Sequence, residues 1–261
     1  MKSAIVKSFH TASGAVESKP MPVPCAGCGP FDTVAFMVTA IVLAAGRSTR
    51  MGGDTNKQFI EVHGRPLLFY SLDAFERCRA IDAIVLVRHR DNAIQVNNLV
   101  ARYGFKKVGA CTEGGIERQH SVWNGLTVCD PATDIVAVHD GARPLVTPDL
   151  VAATVDSARR HGTGIAAAKV VDTIKEANED KTVIRTVDRT RLWAVQTPQT
   201  VQCQLLKEAY GRVLADGVVV TDEAAAVERL GRAVHLVNTP FLNLKVTTPG
   251  DLAVVSALLD T

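Results

Sequence analysis

Short unbroken apolar runs alternate along this chain with longer segments in which apolar residues return every three or four positions. Residues 40–44, 83–87, 106–111, 134–138 and 163–169 have the length of strands, and Ile41-Val42-Leu43 and Ala83–Val87 read as interior ones. Between them the spacing predicts helices beginning near Pro66 and over about 92–103. Others follow over 118–129, with Val122, Leu126 and Cys129 inward, and over 148–160, with Leu150, Val151, Thr154, Val155 and Ala158 on one face. Helices near 203–215, 222–230 and 248–259 complete the pattern. Such alternation builds an α/β domain, a mostly parallel sheet with helices on both faces. Ligands of such sheets sit at the carboxyl ends of the strands, which puts Ala45–Lys57 and His139–Arg143 on one rim.

Two segments break the rhythm. Residues 170–195 are polar, and Asn178-Glu179-Asp180 makes a turn between the β-branched runs Val170-Val171 and Thr182-Val183-Ile184, which predicts a protruding β-hairpin. Residues 1–36 combine Pro20, Pro22, Pro24 and Pro30 with Gly and Ser and hold no apolar period, so they are expected to be a disordered extension of a domain spanning 37–261. Met37 offers an alternative start of translation. Only Glu17 and Asp32 are acidic in the extension, as in a transit peptide, but arginine is absent from it.

At 261 residues the chain can bury a full α/β core. Its 29 basic and 27 acidic side chains are well mixed and leave no basic stripe, which argues against nucleic acid as a partner. The longest apolar stretch, Val34 to Ala45, is interrupted by Thr39 and is shorter than the roughly 20 residues a bilayer needs. Cleavage after it as a signal peptide would destroy the loop described next, so a cytoplasmic protein without a membrane partner is expected. Cys78, Cys111, Cys129 and Cys203 are scattered and read as reduced core thiols. Cys25-Ala-Gly-Cys28 supplies only two of the four ligands of a structural zinc.

The chemistry concentrates after the first strand. Ala44-Ala45-Gly46 lets a ligand approach the main chain, successive amides make an anion nest, and Arg50 and Lys57 add full charges. This is a phosphate site, best suited to a nucleotide. It is not a P-loop, since no Gly-Lys-Ser or Gly-Lys-Thr occurs, nor a dinucleotide fingerprint, since Gly46 is followed by Arg47-Ser48. Four groups accompany it: Gly114-Gly115-Ile116-Glu117-Arg118-Gln119-His120-Ser121, a turn into a helix; His139-Asp140-Gly141-Ala142-Arg143-Pro144 at a strand end; Thr186-Val187-Asp188-Arg189 with Gln196-Thr197-Pro198-Gln199; and Thr221-Asp222-Glu223 with Asn243-Leu244-Lys245-Val246-Thr247. Singly, each has a structural reading as a cap, turn or ion pair.

Together, and in this order, these motifs resemble the 2-C-methyl-D-erythritol 4-phosphate cytidylyltransferase family over Met37 to Thr261. The resemblance implies a Rossmann-like nucleotidyltransferase fold and a homodimer in which the hairpin arm, about 170–195, reaches the partner subunit. It implies transfer of CMP from CTP to the sugar-alcohol phosphate, with Mg²⁺ or another divalent cation. Arg50 and Lys57 would stabilise the transition state, and Ala44, Ala45, Gly46, Gly114, Gly115 and Ser121 would hold the nucleotide. Asp140 would lie near the metal and the incoming alcohol. Arg189, from the other subunit, and Lys245 would hold the substrate phosphate, with Arg143, Thr173, Thr197 and Thr221 as further substrate contacts. The chain departs from the family pattern at Ser48, commonly Gly, and at Ile116, often polar. A ribitol 5-phosphate cytidylyltransferase shares the fold and the lysine, and a non-catalytic CTP-binding protein on the same scaffold is the alternative of another class.

Overall fold

The computed structural model describes residues 36–46, 57–239 and 242–259. The elements in chain order are β1 (Met37–Ala44), β2 (Glu61–Val62), β3 (Arg65–Pro66), α1 (Leu67–Arg77), β4 (Ala83–Arg88), α2 (Ala93–Tyr103), β5 (Val108–Glu113), α3 (Arg118–Thr127), β6 (Thr133–Asp140) and α4 (Pro148–His161). There follow β7 (Thr163–Lys169), β8 (Ile174–Ala177), β9 (Val183–Val187), β10 (Trp193–Gln202), α5 (Cys203–Ala215), α6 (Glu223–Glu228), β11 (Leu236–Asn238) and α7 (Pro249–Leu259).

Seven strands form one sheet in the order β11-β7-β10-β6-β1-β4-β5. All run parallel except β10, which lies antiparallel between β6 and β7. Period-2 alternation along β1 sends its side chains to two separate cores. Ala40, Val42 and Ala44 pack with Leu68, Leu72 and Phe75 of α1, Val96 of α2 and Val151 and Val155 of α4. Ile41 and Leu43 pack on the other face with Val122 and Leu126 of α3 and Leu206 and Tyr210 of α5. The helices are bounded as their sequences dictate. Thr147 caps α4 by accepting from Leu150 N at 3.2 Å, Pro148 opens it, and Gly162 ends it at φ 83°, a left-handed turn that a side chain would strain.

The expected strands and helices are present with ends shifted by a few residues. Pro66 differs: it pairs with Glu61 in β3 and caps α1 rather than opening its first turn. Residues 174–187 form an antiparallel hairpin, β8 with β9, as a sheet of their own. Its turn is closed by Asn178 N to the Thr182 carbonyl at 2.9 Å. Four strands, the short pair β2 and β3 together with β10 and β11, have no counterpart in the apolar pattern. Cys78, Cys129 and Cys203 are buried, but Cys111 is exposed on the edge strand β5, a correction to its reading as a core thiol. Among the described residues no helix is long and apolar enough to cross a membrane. Cys25 and Cys28 lie outside the described residues.

Candidate active site

The order of the sheet reverses at β1: β4 and β5 extend it on one side, β6 on the other. Carboxyl ends that diverge at such a point leave a crevice between their loops. Here it is a cleft of about 940 Å³, lined among others by Ala45 and Gly46 after β1, Gly114 and Gly115 after β5, and Asp140 at the end of β6. Lys57, Arg118, Ser121 and Lys245 line the same cleft.

Both glycines are required by close approach. A Cβ on Gly114 would stand 2.3 Å from the Ala45 Cβ, and one on Gly115 would stand 2.2 Å from the His120 Cβ. The Gly114 backbone thus lies against the Ala45 methyl, which brings the segments after β1 and β5 together, while Gly115 lets its turn fold onto the start of α3. The Ser121 hydroxyl accepts from Gly115 N at 3.1 Å and donates to the Glu117 carbonyl at 3.2 Å, which ties the glycine turn to the first turn of α3.

Asp140 is the centre of the charge arrangement. Its Oδ1 accepts from Arg118 Nε at 3.2 Å and its Oδ2 from Lys245 Nζ at 2.7 Å, and Arg143 Nε lies 4.0 Å from Oδ2. Burial alone would push the Asp140 carboxyl up. The charges of Arg118 and then Lys245 outweigh burial and hold it well below the usual carboxylate range. Behind Arg118 stands Glu223, fully buried, with Oε1 and Oε2 at 2.7 and 3.1 Å from the two guanidinium Nη atoms. Tyr210 donates its hydroxyl to the same carboxylate at 2.9 Å.

Lys245 is placed by its own segment. Val246 N bonds the Ala142 carbonyl at 2.8 Å, Asn243 Nδ2 bonds the Thr197 carbonyl at 2.8 Å, and Arg143 Nη1 bonds the Asn243 carbonyl at 2.7 Å. Lys57 Nζ donates to the Val246 carbonyl at 2.9 Å, so both lysines meet the same short stretch. Thr197, 3% exposed, accepts from Asp140 N at 3.1 Å and lies 3.1 Å from His139 Nδ1. Burial pushes the His139 imidazole down to about 3, so it stays neutral at working pH.

Of the residues singled out in the sequence, the structure thus gathers Ala45, Gly46, Lys57, Gly114, Gly115, Ser121, Asp140 and Lys245 around one cleft. Ala44, Arg143 and Thr197 stand just behind it. Ala44 uses its carbonyl on Asn92 Nδ2 at 3.2 Å, and Arg143 and Thr197 brace the Lys245 segment and Asp140. Thr173 and Arg189 flank the hairpin, where Arg189 bonds the Val171 carbonyl, and neither lines this chain's own cleft. Thr221 is exposed just before α6 and does not line it either. Arg50 lies outside the described residues. Arg118, Glu223 and Tyr210 carried no role in the sequence reading. Arg118 and Glu223 do stand inside quoted motifs, but no spacing rule joins partners 105 positions apart.

The family model for 2-C-methyl-D-erythritol 4-phosphate cytidylyltransferase, IspD, matches residues 38–261. The enzyme of that name from Geobacillus kaustophilus is 44% identical over 220 residues, covering 84% of this chain and 96% of that one. Its namesake from Alkaliphilus oremlandii is 41% identical over 224 residues, covering 85% and 95%. The crystal structure of 4-diphosphocytidyl-2C-methyl-D-erythritol synthase from Anaerococcus prevotii superposes with a TM-score of 0.76 at 30% identity, covering 87% of this chain and 100% of that one. With the fold, the cleft and its ordered motifs in agreement with these likenesses, the chain belongs to the 2-C-methyl-D-erythritol 4-phosphate cytidylyltransferase family.

Proposed function

We propose that the protein transfers CMP from CTP to 2-C-methyl-D-erythritol 4-phosphate, giving 4-diphosphocytidyl-2-C-methyl-D-erythritol and pyrophosphate. The observation that carries this reading is the convergence of two glycine-lined loops with Lys57, Arg118 and Lys245 on one cleft around Asp140. In the reaction a phosphate oxygen of the alcohol substrate attacks the α-phosphorus of CTP, and the bond to the β-phosphate oxygen breaks. Two anions are pressed together while a third leaves, so positioning and cancellation of negative charge dominate catalysis.

The small residues at Ala45, Gly46, Gly114 and Gly115 leave main-chain amides and carbonyls open to the nucleotide, with Ser121 fixing the second turn. Lys57, with Arg50 seven positions before it in the sequence, neutralises the α-phosphoryl group as it gains its fifth ligand. Lys245 holds the substrate phosphate and Asp140 faces the alcohol hydroxyls. Asp140 also suits a divalent cation such as Mg²⁺. Each of its oxygens keeps a lone-pair position beyond its bond to Arg118 or Lys245, and Mg²⁺ characteristically takes one or two carboxylates and completes its shell with phosphate oxygens and water. When bound, that ion supplies further neutralisation of the phosphate oxygens.

Arg189 and Thr173 do not reach this chain's own cleft, and the β8–β9 hairpin that separates them is largely exposed. The reading therefore includes a homodimer in which each hairpin carries its Arg189 to the partner's substrate phosphate, in a cytoplasmic enzyme. The test is pyrophosphate release from CTP with a panel of alcohol phosphates. Methylerythritol phosphate should exceed ribitol 5-phosphate in kcat/KM by about ten- to several-hundred-fold, the effect of one or two mispaired buried hydroxyls. Equal or better use of ribitol 5-phosphate would replace the substrate, and absence of any transfer would leave a CTP-binding protein.

A further inference from the structure

We propose that Glu223 and Tyr210 are positioning residues for the transfer reaction, locking the Arg118 guanidinium in the one orientation in which its Nε holds Asp140. This rests on the cytidylyl-transfer reading and extends it to residues that touch neither substrate.

Four elements meet at this point: Arg118 opens α3, Glu223 opens α6, Tyr210 lies in α5 and Asp140 ends β6. The paired bonds of 2.7 and 3.1 Å from Arg118 to Glu223 are a fork-to-fork contact, which fixes the plane of the guanidinium as a single bond cannot. With the plane fixed, Nε falls 3.2 Å from Asp140 Oδ1 while Lys245 takes Oδ2. A lysine at position 118 would lack this geometry.

Glu223 is itself held from three sides. Tyr210 bonds its Oε1 at 2.9 Å. The Gln199 side chain accepts from Ala224 N at 2.9 Å and donates to Asp222 Oδ2 at 3.1 Å, tying the start of α6 to β10. Asp222 then caps α6 by accepting from Ala225 N at 2.9 Å. Stability alone is a poor reason for such an arrangement. A buried carboxylate–guanidinium pair contributes about as much as apolar groups of the same volume, or less. What apolar groups could not supply is an oriented donor on Asp140.

The experiment compares Glu223→Gln, Arg118→Gln, the double variant and Tyr210→Phe by melting temperature, CTP affinity and steady-state kinetics. Arg118→Gln strands Glu223 without its cation and should lower the melting temperature most. The double variant removes both charges and should recover much of that loss. Activity should not follow. Glu223→Gln, Arg118→Gln and the double variant should each lose about tenfold or more in kcat/KM for the alcohol phosphate, without summing, because they disable one unit. In Glu223→Gln and Tyr210→Phe, CTP affinity should stay within about twofold, since neither residue lines the cleft. Tyr210→Phe, the mildest change, should lose about two- to fivefold in the same parameter.

Activity that returns with melting temperature in the double variant would overturn the proposal, as would Glu223→Gln with kcat/KM within about twofold of wild type. The variants are compared with wild type on whichever alcohol phosphate wild type uses best. A wrong substrate is then reported by the wild-type panel, and a wrong role for Glu223 by the variants.

Discussion

Replacing Gly114 by alanine should damage stability and catalysis together, and the structure sets the size of both effects. The new methyl carbon would stand 2.3 Å from the Ala45 Cβ and 3.0 Å from the Ser121 hydroxyl oxygen. Carbon atoms in contact settle at about 3.5–4.0 Å, so the loops after β1 and β5 must part by more than about 1 Å. Neither carbon can swing aside, because each is fixed directly to its backbone. Forced separation of this kind costs about 1–3 kcal/mol, which in a domain of this size lowers the melting temperature by roughly 3–10 °C. Both loops line the cleft, so misplacement by 1 Å should slow turnover by up to about 10²-fold and weaken CTP binding. Calorimetric melting, titration with CTP and pyrophosphate release measure the three quantities. Gly211→Ala is the control: a Cβ there meets nothing within 4 Å, so the helix should gain about 0.5–1 kcal/mol with unchanged kinetics. Wild-type melting and CTP affinity in Gly114→Ala would refute the close apposition of the two loops.

Lys57→Ala and Arg50→Ala should each reduce turnover by about 10²–10³-fold while weakening CTP binding far less, measured by kcat against Kd; near-normal turnover in both would remove this loop from the catalytic apparatus. Arg189→Ala and Lys57→Ala homodimers, each nearly inactive, should recover up to roughly a quarter of wild-type activity when mixed and re-equilibrated, because the heterodimer assembles one intact site; no recovery despite proven subunit exchange would place Arg189 within its own chain's chemistry or outside it. His139 titrates at about 3 in the folded chain against an ordinary value of 6.5, so only the unfolded chain takes up that proton between these values. Stability should therefore fall with falling pH across that window, by up to about 1.4 kcal/mol per pH unit from this group. Asp140, depressed in the folded state, contributes stability that is lost only as pH falls below about 4. His139→Asn should accordingly flatten the slope between about pH 6 and 4.5 by about one proton, and an unchanged slope would exclude His139 as its source.

The parallel strands were legible because both of their faces are covered. Ala40–Ala44, Ala83–Val87 and Asp134–Val138 need little but apolar residues, and the residues that follow them had to be loops at the ligand rim. β10 escaped for the opposite reason. Its buried positions include Thr197, Gln199 and Thr200, and Pro198 interrupts it, so nothing in its composition resembles an interior strand. Those polar groups are tolerable inside because they are paired. Thr200 donates to the Thr154 hydroxyl at 2.9 Å, and Gln199 serves both Asp222 and Ala224 N. The site divides in the same way. Cations and glycines clustered just after an apolar strand announce themselves locally, as Gly46, Lys57 and Gly115 do. A residue that acts on another side chain is visible only once the fold brings the two together. Arg118, Glu223 and Thr197 belong to this second kind: the sequence showed them as motif letters or as substrate contacts, and the structure shows Arg118 and Thr197 bonded to Asp140 and Glu223 bonded to Arg118.

The lone antiparallel strand also fixes the order in which the protein can be completed as it is synthesised. β6 and β7 are both made before β10, and neither pairs with the other; β10 joins them, through Gln199–Gln202 to β6 and through Trp193–Val195 and Gln199–Val201 to β7. Until residue 202 has emerged, a nascent chain therefore carries two open strand edges in what will be the middle of its sheet. A chain stopped short of Trp193 keeps every apolar strand that the sequence advertises and lacks the polar one that closes them. Such a fragment is expected to associate through those edges rather than fold, so the cleft, most of whose lining lies between Leu43 and Ala142, becomes usable only once the later strands and Lys245 are in place.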